Sequence, residues 1–193
     1  MKQLLLMIAV VALVGCGKKE PVQPSASNST TPSEFEETKA SAEAGDADAQ
    51  YNLGELYRNG QGVEQDFKEA LKWYQKAADQ GHADAQLNLG VMYANGEGVL
   101  EDDKEATKWF QKAADQGLAM AQSNLGVMYA SGQGVEQNYV TAYAWWNIAA
   151  TNDHQNAKNN KSVVAKKMTR AQIAKAEELV KEMVKKNPKL LKK

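Results

Sequence analysis

Cysteine is almost missing from this chain. Cys16 stands alone among 193 residues, which excludes an intrachain disulfide and leaves any exported form to stabilise itself by packing. Histidine is nearly as scarce, with His82 and His154 the two copies. Neither sign of charge is in overall excess: the formal net charge is −1, so nothing global points to nucleic acid. Long apolar runs are lacking too, because the stretch Leu4 to Val14 falls well short of the ~20 residues that a spanning helix needs. What is present, 43% hydrophobic and 24% charged positions, suffices for one domain with a real core.

The N-terminus reads as a processing signal. Lys2 gives a charged start, the apolar run follows, and Leu13-Val14-Gly15-Cys16 closes it. Leu13 to Cys16 resembles a bacterial lipobox. That resemblance implies removal of residues 1–15, diacylation of the Cys16 thiol and acylation of the new amine, and two or three acyl chains anchor stably where one does not. The alternative is an ordinary secretory signal with an incidental cysteine, against which stands the position of the only cysteine. Gly17 rather than Asp follows it, so in a cell with two membranes the same resemblance implies an outer-membrane anchor facing the periplasm. Residues 16–33 then turn to Lys, Pro, Gln, Ser, Asn and Thr, with prolines at 21, 24 and 32. They read as a lipidated flexible tether.

Self-comparison reveals a period of 36. Gly45, Gly81 and Gly117 align, as do alanines 49, 85 and 121, the Asn-Leu-Gly triplets at 52–54, 88–90 and 124–126, and tyrosines 57, 93 and 129. Those spacings describe one helical face. Gly-x-Gly-Val follows at 60–63, 96–99 and 132–135, where glycines can end a helix and reverse the chain. Asp66 with Glu69, and Asp102 with Glu105, stand at capping-box spacing before a second helix. Its stripe Ala70, Trp73, Tyr74, Ala77, Ala78 recurs as Ala106, Trp109, Phe110, Ala113, Ala114 and as Ala142, Trp145, Trp146, Ala149, Ala150. Small residues at the crossings let backbones approach, and the aromatics fill the space between successive hairpins.

The expected fold is therefore all-α, an α-solenoid of antiparallel helix pairs. Its units are 45–80, 81–116 and 117–152. A capping helix at 34–44 precedes them, a degenerate repeat and C-terminal capping helix at 153–184 follow, and a basic tail spans 185–193. Within the last part, Asn156 to Lys167 resembles a worn first helix. Thr169-x-x-Gln172 opens a final helix with an Ile173, Ala176, Leu179, Val180, Met183 stripe.

These residues resemble the Sel-one-like repeat family, a relative of tetratricopeptide repeats with a longer hairpin loop. Residues 45–152 match the unit, and Val164 to Glu182 is similar to the usual ending of such arrays. The resemblance implies a scaffold or adaptor for other proteins, although fold alone does not fix function. Some periplasmic lipoproteins of the family neutralise antibacterial toxins, so an immunity role is the alternative. Other secreted members have been described as penicillin-binding or weakly β-lactam-hydrolysing. Those staple their repeats with paired cysteines, and no serine here has a lysine three residues later.

No other chemistry emerges from the pattern. His82 and His154 lie two periods apart at equivalent positions, so they belong to separate hairpins rather than to a metal site. Gly60-x-Gly62 and its copies lack the Gly-Lys-Ser/Thr of a phosphate loop. Glu101-Asp102-Asp103 lacks the alternating ligands of a calcium loop. No enzyme activity, cofactor or metal is expected, and no nucleic-acid partner. The expected partner is a protein or peptide, alongside the membrane reached through lipidated Cys16.

The tetratricopeptide resemblance implies a binding surface on the concave face of the array, lined by the first helix of each pair. Counting from the repeated Leu-Gly, that face presents Tyr51, Asn52, Glu55 and Arg58, then Leu87, Asn88, Val91 and Asn95, then Asn124 and Val127. Leu87, Val91 and Val127 would form an apolar floor, and asparagines one period apart could each bond an extended backbone. A residue repeated in every unit can equally serve the unit itself, so the variable position Tyr51/Leu87/Ser123 is the sharper candidate. Charge adds one lead: residues 158–193 carry 12 Lys or Arg against 3 Glu, while residues 21–157 carry 8 against 20 acids. The basic end could meet anionic lipid or acidic partners; a solvated end is its plainer reading.

Overall fold

A computed structural model describes residues 32–191. Among them are nine α-helices and no strand: α1 (Pro32–Glu43), α2 (Ala47–Asn59), α3 (Phe67–Asp79), α4 (Ala83–Asn95), α5 (Asp103–Asp115), α6 (Ala119–Ser131), α7 (Tyr139–Thr151), α8 (Gln155–Ala165) and α9 (Arg170–Lys186), then a 3-10 turn, Pro188–Leu190. No helix among the described residues is long and apolar enough to cross a membrane. The expected signal peptide, Cys16 and nearly all of the tether lie outside the described residues. The first helix begins two residues before the expected 34, a start that a proline in the first turn tolerates.

Three hairpins, α2/α3, α4/α5 and α6/α7, stack in order, each second helix packing on the first helix of the next unit. The Asn-Leu-Gly glycines mark the crossings within hairpins. A Cβ added at Gly54 would stand 2.6 Å from the Tyr74 ring, at Gly90 2.5 Å from Phe110, and at Gly126 2.5 Å from Trp146. Each aromatic ring therefore packs directly against a bare helix backbone, and a side chain there would force the hairpin open. The Gly60, Gly96 and Gly132 caps hold left-handed φ of 66°, 68° and 78°. Their N–H groups return to Leu56, Met92 and Met128.

Second helices start on Asp66, Asp102 and Asn138, whose side chains accept from N–H groups two or three residues on. The expected capping box at the first two is only half formed: Glu69 and Glu105 turn instead to Lys72 and Lys108. At α9 the box is complete, with Gln172 accepting from Thr169 N at 2.8 Å and Thr169 Oγ1 accepting from Gln172 N at 3.2 Å.

The third hairpin ends differently. On α3 and α5 the positions Lys68, Lys72, Lys76 and Lys104, Lys108, Lys112 form lysine rows, with Lys76 and Lys112 lying 3.8 and 3.6 Å over the Trp73 and Trp109 rings. The same row on α7 reads Val140, Ala144, Ile148. Ala144 and Ile148 are fully buried, and α9 packs on α7. Of the expected basic tail, the described residues 187–191 are docked rather than free, while Lys185, Lys186 and Lys189 stay exposed. Helix α9 runs past the expected boundary at 184, and the turn behind it folds back on the array, leaving Leu190 2% exposed.

Candidate protein-binding face

The ten expected binding residues lie on α2, α4 and α6, the first helices, and they do not behave alike. Tyr51 stacks on His82 of the next unit, ring centroids 4.6 Å apart. Glu55 joins the first two units: it accepts from the Tyr74 hydroxyl, from Asn88 Nδ2 at 2.7 Å and from Asn59 Nδ2 at 3.3 Å. Arg58 pairs with Glu97 at 3.1 Å, and Asn95 Nδ2 donates to the same carboxylate at 2.9 Å. Burial first, and then Glu55, push the Tyr74 and Tyr51 phenols up, so both remain protonated and Tyr74 stays a donor.

Three expectations change accordingly. Asn88 makes a structural bond, because the half-buried Glu55 carboxylate faces it and takes one of its amide hydrogens. Leu87 is 7% exposed and belongs to the core rather than to an open floor. The variable position is used for packing in every unit: Tyr51 against His82, Leu87 in the core, and Ser123 buried with its carbonyl accepting from Trp146 Nε1 at 3.1 Å.

At the next joint Ser131 still donates to Gln133, as Asn95 does to Glu97, but the bonds across the joint to Glu55 and the Arg58–Glu97 pair have no counterpart among the described residues. Val91 stands where the first unit has Glu55, and Phe110 where it has Tyr74, so neither the hydroxyl nor its acceptor is needed. Asn124, equivalent to Asn88, is half-buried and makes no side-chain hydrogen bond among the described residues. Val91 and Val127 are half-buried beside it. Met120, four residues before Asn124 on the same side of α6, is 53% exposed. It replaces the Asp48 and Asp84 of earlier units, a departure that sequence reading could have found and did not. Asn52 is exposed at the other end, where it lines a shallow groove with Glu37, Thr38, Ser41, Asp46 and Asp48.

A buried amide ladder also went unread, although its glutamines recur every 36 residues. Gln50, Gln86 and Gln122 donate to Ala42, Ala78 and Ala114 carbonyls of the preceding helix at 3.1, 3.1 and 3.3 Å. Gln80 donates to Gln50 Oε1 and to the Gly45 carbonyl, and Gln116 to Gln86 Oε1 and the Gly81 carbonyl. In the third unit the shorter Asn152 takes this place. It donates to Gln122 Oε1 and to the Leu190 carbonyl at 2.7 Å, which Gln122 Nε2 also reaches at 2.8 Å. The Lys189 carbonyl sits against Gly117 where any Cβ would collide. Asn187 Nδ2 donates to the Asp115 carbonyl at 2.8 Å.

The histidines are helix caps on separate hairpins. His82 Nδ1 accepts from Ala85 N at 3.2 Å while Nε2 faces Asp48 at 3.3 Å, and His154 Nδ1 accepts from Ala157 N at 3.3 Å. Burial pushes His154 down from its ordinary pKa.

The Sel1 repeat model matches residues 47–82, 83–118 and 119–154. Among solved structures, a protective antigen present in uropathogenic Escherichia coli strains, displaying an SLR fold, is 41% identical with a TM-score of 0.75, over 81% of this chain and 34% of that one. A Sel1 repeat protein from Oxalobacter formigenes is 35% identical with a TM-score of 0.64, over 67% of this chain and 53% of that one. An immunity protein from Pseudomonas aeruginosa, 21% identical at a TM-score of 0.34 over 82% and 74% of the two chains, is too distant to carry an argument. This chain thus spans a third to a half of the two nearer structures, and no curated protein matches it.

Proposed function

Because the chain belongs to the Sel1 repeat family, we propose that it is a membrane-tethered adaptor, anchored through Cys16, that grips an extended segment of another protein along the first-helix face of its second and third units. Sel1 repeats generally serve protein–protein binding. The observation that carries the finer reading is the contrast between the two joints: the first closes its polar groups on one another, whereas the second leaves Asn124 open among Val91, Met120 and Val127. An asparagine amide offers one donor and one acceptor group, the pair that an extended peptide backbone needs. Aliphatic side chains around it supply the apolar contact area that binding energy draws on. The partner segment is thus expected to be extended and aliphatic. Capping of an antibacterial toxin would be one instance of the same binding, told apart by the identity of the partner.

The test uses charge placed on the face. Partners are crosslinked in intact cells and recovered with the full chain, then again with Met120→Asp and with Val127→Glu. Loss of the partner from variants of unchanged melting supports the proposal, provided that Lys72→Glu and Lys108→Glu on the opposite side retain it. Retention by both stable face variants overturns it.

A further inference from the structure

Every connection between successive described helices but one is built on a residue with positive φ. Glycines serve in six of them, among them Gly45, Gly81 and Gly117, and Asp153 serves between α7 and α8 with φ 63°. To become helix, any of these turns would have to move a residue out of the left-handed region. The α8–α9 connection has no such residue. Lys166 keeps right-handed angles (φ −68°, ψ −18°) just after α8, and the break comes at Thr169, whose ψ of 161° is extended. From residue 155 to residue 186 there is neither glycine nor proline. Lys166, Lys167, Met168, Arg170, Ala171 and Gln172 around the break are all good helix formers. Locally, the Thr169–Gln172 capping box holds the corner together with two backbone turn bonds, Lys167 N to the Val164 carbonyl and Met168 N to the Ala165 carbonyl.

That corner carries the arm that closes the molecule. Helix α9 covers the apolar row of α7, and residues 187–191 seat Leu190 in the slot made by Gly117, Gln122 and Asn152.

We propose that α8 and α9 can fuse into one continuous helix across residues 166–169, so that two copies of the chain exchange arms, each covering the α7 row and the slot of the other. The arm makes identical contacts in either copy, so closed monomer and exchanged dimer differ at the hinge and in concentration dependence alone. The occupant is fixed by the slot itself, which is already shaped to this chain's own Asn-Pro-Lys-Leu-Leu segment.

The test uses the full chain in density-matched detergent, sized by analytical ultracentrifugation after warming and cooling. Two substitutions leave the arm's contacts untouched and push in opposite directions. Thr169→Ala removes the cap that favours the corner, at two hinges per dimer, and should tighten dimerisation on the order of tenfold. Arg170→Pro suits the first turn of α9, and Thr169 already has the extended angles that a following proline requires, yet a proline there cannot continue a helix from α8. It should leave monomer alone, with undiminished melting. A photoreactive residue in place of Leu191, carried on tagged copies mixed with untagged ones, should join the two chains in the dimer. Absence of dimer in both the wild-type chain and Thr169→Ala overturns the proposal. So does a dimer that survives Arg170→Pro, or one whose Leu191 crosslinks stay within one chain.

Discussion

The second helices of the first two units and that of the third share a backbone and differ in what lies over them. Helices α3 and α5 keep lysines at three successive positions of one row, and α7 has Val140, Ala144 and Ile148 there. Where the row is lysine, water and the Trp73 and Trp109 faces receive it. Where it is apolar, α9 lies on it. A departure from the repeat therefore reports a neighbour: a helix that is apolar all round must be covered on every side. The same logic separates the two joints of the first-helix face, since Tyr74 requires Glu55 while Phe110 accepts Val91.

The largest effect should come from making the third unit like its predecessors. Ile148→Lys puts an unpaired charge under α9 and is expected to cost about 4 kcal/mol, with the arm released. Urea unfolding gives the cost, and rapid proteolysis near residues 166–169 shows the release. The reverse change, Lys112→Ile, lies on the surface and should cost less than about 1 kcal/mol, the worth of its contact with Trp109.

The joint can be converted in the same manner. Glu55→Val leaves the buried Tyr74 hydroxyl without its acceptor and should destabilise by about 2 kcal/mol. Adding Tyr74→Phe should recover most of that loss, as a double-mutant cycle on melting would reveal. If the double variant is no better than the single one, the joint is held by something other than this bond.

Lengthening the shortened ladder is a milder intervention. Asn152→Gln returns the consensus methylene to a slot now filled by the Leu190 carbonyl, and overpacking there should cost about 1–2 kcal/mol. Thermal melting would register it, and so would faster hydrogen exchange at Leu190.

Much of this was legible in the sequence, for reasons that also explain the rest. The 36-residue period gave the hairpins, their glycine turns and the aromatic stripes, because each unit must solve the same packing problem. The binding face was only half legible. Position counting put Asn88 and Asn124 on one face, but whether an amide is already bonded depends on residue 55 or 91 across the joint, one unit away. The docked tail was missed because charge counting registers Lys185, Lys186 and Lys189 and not the single Leu190 that is buried. Its signals were subtler: Asn152 in place of glutamine, and the loss of lysines from α7.

The smallest expected effect is on pH. Burial holds the folded-state pKa of His154 below its ordinary 6.5, so the fold favours the neutral ring whose Nδ1 caps α8. This contribution is fully present above the unfolded value and is lost as pH falls through the folded one. Melting followed down from neutral pH should therefore decline, and His154→Asn, which keeps a capping oxygen, should remove that part of the decline. An unchanged profile would detach the cap from titration.

The proposed partner lies at the open second joint, and a crosslinking map of the surface locates it. A photoreactive residue is placed in turn at Met120, Val127, Asn52, Lys72 and Lys108 of the full chain, and cells are irradiated. Strong adducts to one partner are expected from Met120 and Val127, and none from Lys72 or Lys108. Adducts confined to Lys72 and Lys108, or to Asn52 alone, would contradict that placement.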